Sequence, residues 1–167
     1  MTEEKPEFGE LFRFKDERGS WSRSFDINLF PNLSNPIVQS SISITNSKGT
    51  LRGLHSLDQS AGEWKLVTVC QGSVWDVAAD IRKGSPTFGD YYSAELSGEK
   101  GNFVLIPPGW AHGFLTLTDN VVMSYSMTAE FNKDLEIGAR WDSSSLNIQW
   151  PFQPEIISEK DNRLPAI

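Results

Sequence analysis

Short runs rich in Val, Ile, Phe, Tyr and Thr recur along the chain between Gly, Ser, Asn and Asp, and in places such as Lys65 to Cys70 apolar and polar positions alternate with a period of two. That period puts every second side chain on one face of an extended segment, which suits half-buried strands. It predicts strands over Val38–Asn46, Lys65–Gln71, Ser73–Ile81, Asp90–Leu96, Asn102–Ile106, Gly113–Thr118 and Val121–Thr128. No segment sustains the 3.6-residue period of a long amphipathic helix. Strand following strand in this way predicts an all-β sandwich or barrel.

The connections refine that expectation. Gln71-Gly72 and Thr118-Asp119-Asn120 leave so little chain between successive strands that each is expected to close an antiparallel hairpin. Lys83–Gly89 and Ser97–Gly101 read as Gly- and Ser-rich connections, and Ser47-Lys48-Gly49 as an exposed loop. The ends are less regular. Phe25 to Pro36 holds two prolines and three asparagines, and the chain after Trp150-Pro151 reads as an irregular or short helical tail. Segments of this kind are expected to wrap a scaffold. The 167 residues fit one domain, spanning 1–167.

Composition narrows the partners. A hydrophobic fraction of 38% with six Trp and ten Phe is enough apolar surface to offset ordering entropy. Fifteen basic against 22 acidic residues give a net charge of −7, which repels nucleic-acid phosphates and anionic membranes. A small anionic ligand stays compatible with that charge, because a few convergent cations outweigh a diffuse field at short range. The start, Met1-Thr-Glu-Glu-Lys-Pro-Glu7, carries acids where a signal peptide needs a basic end, and no apolar run approaches a membrane span, so a cytoplasmic protein is expected. Cys70, the single cysteine, lies in the alternation Leu66-Val67-Thr68-Val69-Cys70 and is expected to be a buried, inert thiol.

The two histidines, His55 and His112, are too few for a metal site built from several imidazoles, so no metal is expected. The run Gly101-Asn-Phe-Val-Leu-Ile-Pro-Pro-Gly109-Trp-Ala-His112 matches the second cupin motif, whereas Leu54-His55-Ser56-Leu57 lacks the His-x-His of the first. The implied scaffold is a cupin-type antiparallel jelly-roll barrel without its metal cage. Histidine titrates closest to neutrality and suits a general base. Lys65 opens a strand and is expected to point into the barrel, with Asp76 on a paired strand as its partner. On residue chemistry alone other readings stay open: His55 as a satisfied strand histidine, Tyr125 as a core tyrosine, Lys65 with Asp76 as a structural ion pair, and Asp161 as a solvated charge.

Larger blocks favour the catalytic reading. Asp16-Glu-Arg-Gly19, Leu51-Arg-Gly-Leu-His55, Lys65-Leu-Val67, Gln71-Gly-Ser-Val-Trp-Asp-Val-Ala-Ala-Asp80, Gly84-Ser-Pro-Thr-Phe-Gly89, Ile106-Pro-Pro-Gly-Trp-Ala-His-Gly-Phe114, Gly138-Ala-Arg-Trp-Asp142, Ile148-Gln-Trp-Pro151 and Ser158-Glu-Lys-Asp161 occur in this order. In them the chain resembles the dTDP-4-dehydrorhamnose 3,5-epimerases. The resemblance implies a cofactor-independent isomerase that removes and returns protons at C3, C5 or both of a nucleotide-linked 4-keto-6-deoxysugar. It implies His55 as base, Asp161 as the carboxylate orienting it, Lys65 as enolate stabiliser and Tyr125 as opposite-face acid.

For binding, the resemblance implies Arg18 and Arg52 near the diphosphate, with Lys160 a weaker candidate of the same kind; His112 is read as lining the site, with a hydrogen-bonding role within it as the other reading. The resemblance also implies a homodimer in which Arg18 acts across the interface. Glu130-Phe131 stands where the family commonly has Tyr-Tyr, so Glu130 falls at the base-stacking position without the means to stack. Gln39-Ser-Ser-Ile-Ser43 and Arg23 also depart from the family pattern. The nucleotide base therefore stays open among thymine, guanine and cytosine, and a sugar-nucleotide-binding cupin without turnover is the alternative from another functional class.

Overall fold

In the computed structural model of the chain, residues 4–30, 33 and 35–167 are described. Met1 to Glu3 of the acidic start, and Pro31, Asn32 and Ser34 of the proline- and asparagine-rich stretch, lie outside them. The elements are β1 (Glu7–Glu10), β2 (Arg13–Asp16), β3 (Gly19–Ser22), β4 (Gln39–Thr45), β5 (Thr50–Leu57), β6 (Lys65–Gln71), β7 (Ser73–Asp80), β8 (Tyr91–Ser97), β9 (Asn102–Ile106), β10 (Trp110–Thr116), β11 (Val121–Met127), β12 (Glu136–Gly138), β13 (Ile156–Ile157) and the short helix α1 (Glu159–Asn162).

Two sheets face each other. One has the order β1-β9-β6-β11-β4. The other has the order β12-β5-β10-β7-β8, with β13 added to β5 in parallel; β2 and β3 form a separate hairpin. Inward side chains of both sheets make the barrel core, among them Val67, Val69, Val74, Ala78, Val104, Trp110, Phe114 and Met123. The all-β jelly-roll barrel with a short helical tail is the architecture observed.

The two connections expected to be hairpins are instead crossings between sheets. β6 is flanked by β9 and β11, while β7 is flanked by β10 and β8. Likewise β10 lies between β5 and β7, and β11 between β4 and β6. A strand has only two hydrogen-bonding edges, and on each of these four strands both are filled by strands other than the one across the short connection. Gly72 makes the first crossing at φ 76°, where a Cβ would lie 2.6 Å from Thr118 Oγ1 of the second. The two corners thus pack on each other, and a side chain at Gly72 has no room.

Both sheets are covered outside as well. Phe30, Leu33, Trp64, Leu66 and Leu105 form one cluster, with Phe25 and Phe103 packed against it, so the segment after β3 closes the outer face of the first sheet. Leu54, Val77, Ala79, Ala111, Ala139 and Leu146 form another, sealed by Ile148, Trp150 and Ile167 of the tail. The irregular ends do wrap the scaffold. Because it is covered on both faces, β10 is buried along its whole length and reads as a continuous run instead of an alternation.

Three local expectations change. β10 begins at Trp110, three residues before the predicted start at Gly113. β5, which carries His55, was not among the predicted strands; Arg52-Gly53 interrupts its apolar alternation. Cys70 is exposed, not buried. The register of β11 on β6 passes from Met123↔Val69 to Val122↔Gln71, so Cys70 falls in a bulge that breaks the inward-outward alternation.

Candidate active site

A cavity of about 540 Å³ opens between the two sheets, and its wall includes Arg52, His55, Lys65, His112, Tyr125 and Asp161. Five elements supply these six side chains. β5 supplies Arg52 and His55, β6 Lys65, β10 His112 and β11 Tyr125, while α1 delivers Asp161 from near the C-terminus. β5 and β10 are paired with His55 opposite His112. From His55 to Arg52 the register slips against His112 to Phe114, a bulge centred on Gly53 at φ 103°. A Cβ on Gly53 would lie 2.5 Å from His112 O, so glycine is required for the strands to approach this closely.

The N–H of Gly53 donates to Asp161 Oδ2 at 3.1 Å, and Asp161 Oδ1 lies 2.8 Å from His55 Nε2. The latter contact is close but poorly aligned for a hydrogen bond. Ser158 caps α1, its Oγ accepting from the Asp161 N–H at 3.1 Å. Burial works to raise the Asp161 carboxyl, yet the His55 contact and the Gly53 N–H outweigh it and hold its pKa below the ordinary value. A carboxylate at Nε2 favours the tautomer with its proton there, which leaves the lone pair on Nδ1.

On the opposite wall, Tyr125 Oη lies 3.1 Å from Ser43 Oγ of β4. Burial, only partly offset by Ser43, pushes the phenol up to about 12, so Tyr125 keeps its proton at neutral pH. Its ring meets that of His112 edge-on at 6.0 Å. Lys65 is two residues before Val67, the β6 residue opposite Tyr125, and therefore shares that wall.

The partner expected for Lys65 is different. Asp76, fully buried, accepts its contact from His112, Nε2 to Oδ2 at 2.8 Å. Lys65 Nζ instead lies 3.3 Å from Glu63 Oε2. The reason is the crossing at Gly72: β6 and β7 belong to different sheets, so Lys65 and Asp76 do not sit on paired strands.

The remaining residues divide. Arg52 lines the cavity, with Nε 3.1 Å from Thr45 Oγ1. Lys160 lines it too, paired with Glu136 at 2.5 Å. Arg18 stands on the turn of the β2–β3 hairpin, paired with Asp16 and 84% exposed, outside the cavity wall of this chain. Glu130 is exposed beyond β11 and does not line the cavity.

Sequence reasoning missed Glu63, Ser43 and the Gly53 N–H, since no local pattern points to them. Ser158 three residues before Asp161 is a readable helix-start signal. A larger cleft of about 970 Å³ shares Lys160 and includes Ile81, Arg82, Glu136 and Ile167, but it holds no histidine or tyrosine. The chemistry therefore points to the smaller one. Among the described residues no three His, Cys, Asp or Glu side chains converge as metal ligands.

Residues 8–167 match the family described as dTDP-4-dehydrorhamnose 3,5-epimerase. The dTDP-4-dehydrorhamnose 3,5-epimerase of Sinorhizobium fredii is 39% identical over 158 residues, covering 93% of this chain and 81% of that protein. The crystal structure of the Bacillus anthracis enzyme with TDP and PPi bound superposes with a TM-score of 0.90 at 34% identity, over 97% of this chain and 94% of that one. A Legionella pneumophila dTDP-6-deoxy-D-glucose-3,5-epimerase in complex with dTDP-4-keto-L-rhamnose gives 0.89 at 34% identity, over 99% and 89%. With a match that runs through nearly the whole barrel and its tail, the chain belongs to the dTDP-4-dehydrorhamnose 3,5-epimerase family and is an isomerase.

Proposed function

We propose that the chain, acting as a single domain, inverts C3 and C5 of a dTDP-linked 4-keto-6-deoxyhexose. One observation carries the reading: His55 and Tyr125 face the same cavity from opposite sheets, β5 in one and β11 in the other. Inversion at a carbon α to a ketone needs a base on one face and an acid on the other, and a cavity between two sheets offers both. The thymidine nucleotides named for the Bacillus anthracis and Legionella pneumophila proteins support the choice of base.

In this reading His55 takes the carbon-bound proton on Nδ1, and the C–H electron pair moves into an enolate whose oxygen meets the Lys65 ammonium. Tyr125 then gives its proton to the opposite face of the same carbon. Asp161 holds the ring of His55 and stabilises the imidazolium. The step moves protons only, so acid and base groups suffice. Arg52 and Lys160 hold the substrate, and the buried His112 lines the cavity beside Tyr125.

Arg18 enters from a second copy of the chain. The β2–β3 hairpin that carries it leaves Phe14 and Trp21 58% and 55% exposed, surface that a homodimer would cover. No helix among the described residues is long and apolar enough to cross a membrane, and a water-borne nucleotide sugar supports work in the cytoplasm.

The test is incubation with dTDP-4-keto-6-deoxyglucose in deuterated water. Deuterium is expected at both C3 and C5, with His55→Asn folded and inactive. Exchange at one carbon alone would overturn double inversion. Binding without exchange, or exchange only with a guanosine or cytidine sugar nucleotide, would overturn the activity or the base.

A further inference from the structure

The Lys65 ammonium has a carboxylate beside it that takes no part in the chemistry described so far. Glu63 Oε2 lies 3.3 Å from Lys65 Nζ, and the two side chains are only 11% and 17% exposed. Lys65 lines the cavity, whereas Glu63 does not. The carboxylate thus touches the lysine without itself lining the cavity.

Its position is set by the backbone. Glu63 and Lys65 are two apart in extended chain and share a face, while Trp64 between them is buried in the cluster on the outer side of the sheet. Thr128 fastens the segment: Trp64 N–H donates to its Oγ1 at 2.8 Å, its own N–H donates to Trp64 O at 3.0 Å, and its Oγ1 donates to Gly62 O at 3.3 Å. A one-residue slip would expel the indole and turn both charges outward. A largely buried ammonium on a four-carbon stem needs a counter-charge to hold one place, and Asp76 is engaged by His112.

We infer that Glu63 is a positioning residue for Lys65, fixing where the ammonium meets the enolate oxygen. The inference rests on the enolate role proposed for Lys65. It assigns to Glu63 an effect on turnover, exerted through its charge and not through its bulk.

Two variants separate charge from bulk. Glu63→Gln keeps the size and loses the charge; Glu63→Asp keeps the charge. In exchange kinetics Glu63→Gln is expected to lower kcat by about tenfold or more with KM within about twofold, and Glu63→Asp to recover part of the loss. The ¹⁵N ammonium resonance of Lys65, assigned by its absence in Lys65→Ala, is expected in the wild type and Glu63→Asp and lost in Glu63→Gln. Wild-type kcat in Glu63→Gln, or equal impairment in both variants with the resonance retained, would overturn the inference. A wild type that exchanges no sugar nucleotide counts against the proposed reaction instead, and the resonance then still decides the role of Glu63.

Discussion

His55 and Asp161 meet at 2.8 Å although one sits within strand β5 and the other on a four-residue helix near the C-terminal end. The carboxylate is brought there by the parallel pairing of β13 on β5 and by the Gly53 N–H. Asp161→Asn keeps the shape but offers the amide in place of the charge that stabilises an imidazolium. It is expected to lower kcat by about a thousandfold with the fold intact, read by exchange kinetics and circular dichroism. The folded-state pKa of Asp161 is depressed, so its stabilising contribution is complete above the unfolded value of about 3.9 and is lost as pH falls through the folded value. Wild type should therefore lose more stability than Asp161→Asn as pH falls through and below the unfolded value of about 3.9. Equal acid sensitivity would contradict this.

In the proposed reaction Tyr125 returns the proton that His55 removes, so its loss separates the two steps. Because burial pushes its phenol up to about 12, it holds its proton throughout the neutral range, which suits the acid of the proposed reaction. Tyr125→Phe is expected to retain part of the exchange initiated by His55 while slowing inversion by about a hundredfold or more. The ratio of deuterium incorporated to epimer formed measures it. Exchange and inversion falling together would place Tyr125 in the proton-removal step.

Asp80 anchors the loop that follows β7. Fully buried, its carboxylate accepts from Arg82 Nε and Nη2 at 2.9 and 2.7 Å and from Ser85 Oγ and Thr87 Oγ1, both at 2.6 Å. Burial opposes the charge, but these donors prevail and hold the pKa at about 2. The depressed pKa contributes on the order of 2 kcal/mol above the unfolded value, lost as pH falls from about 4 to about 2. Asp80→Asn should lower Tm at neutral pH, with the gap to wild type closing across that acid range. A gap that stays constant would show that charge is not what the loop depends on.

Arg18 gives a test of the dimer. If its guanidinium serves the partner's cavity, Arg18→Ala raises KM by about tenfold with little change in kcat. Mixing Arg18→Ala with inactive Lys65→Ala then restores activity, because a mixed dimer contains one cavity with both residues intact. Sedimentation should show a dimer in each sample. A monomer, or no recovery on mixing, would return Arg18 to the surface of its own chain.

The strands were the most legible part. Lys65–Gln71 and Asn102–Ile106 were predicted with the same ends that β6 and β9 have, because enrichment in β-branched and aromatic residues between turn residues is a local signal. β5 was not, since Gly53 breaks its alternation and marks a bulge that exists only against β10. Glu63 gave no signal either, as nothing in Glu63-Trp64-Lys65 says which face becomes the cavity.

By itself the sequence determined an all-β barrel and, through its motif blocks, nominated His55, Lys65, Tyr125 and Asp161. Tertiary structure decided who pairs with whom. Crossings at Gly72 and at Thr118 to Asn120 send successive strands to opposite sheets, which gives Asp76 to His112, Glu63 to Lys65 and opposed walls to His55 and Tyr125. The physical reason is that alternation reports which face a residue occupies, whereas strand partners are set by the competition of distant edges for two hydrogen-bonding sides.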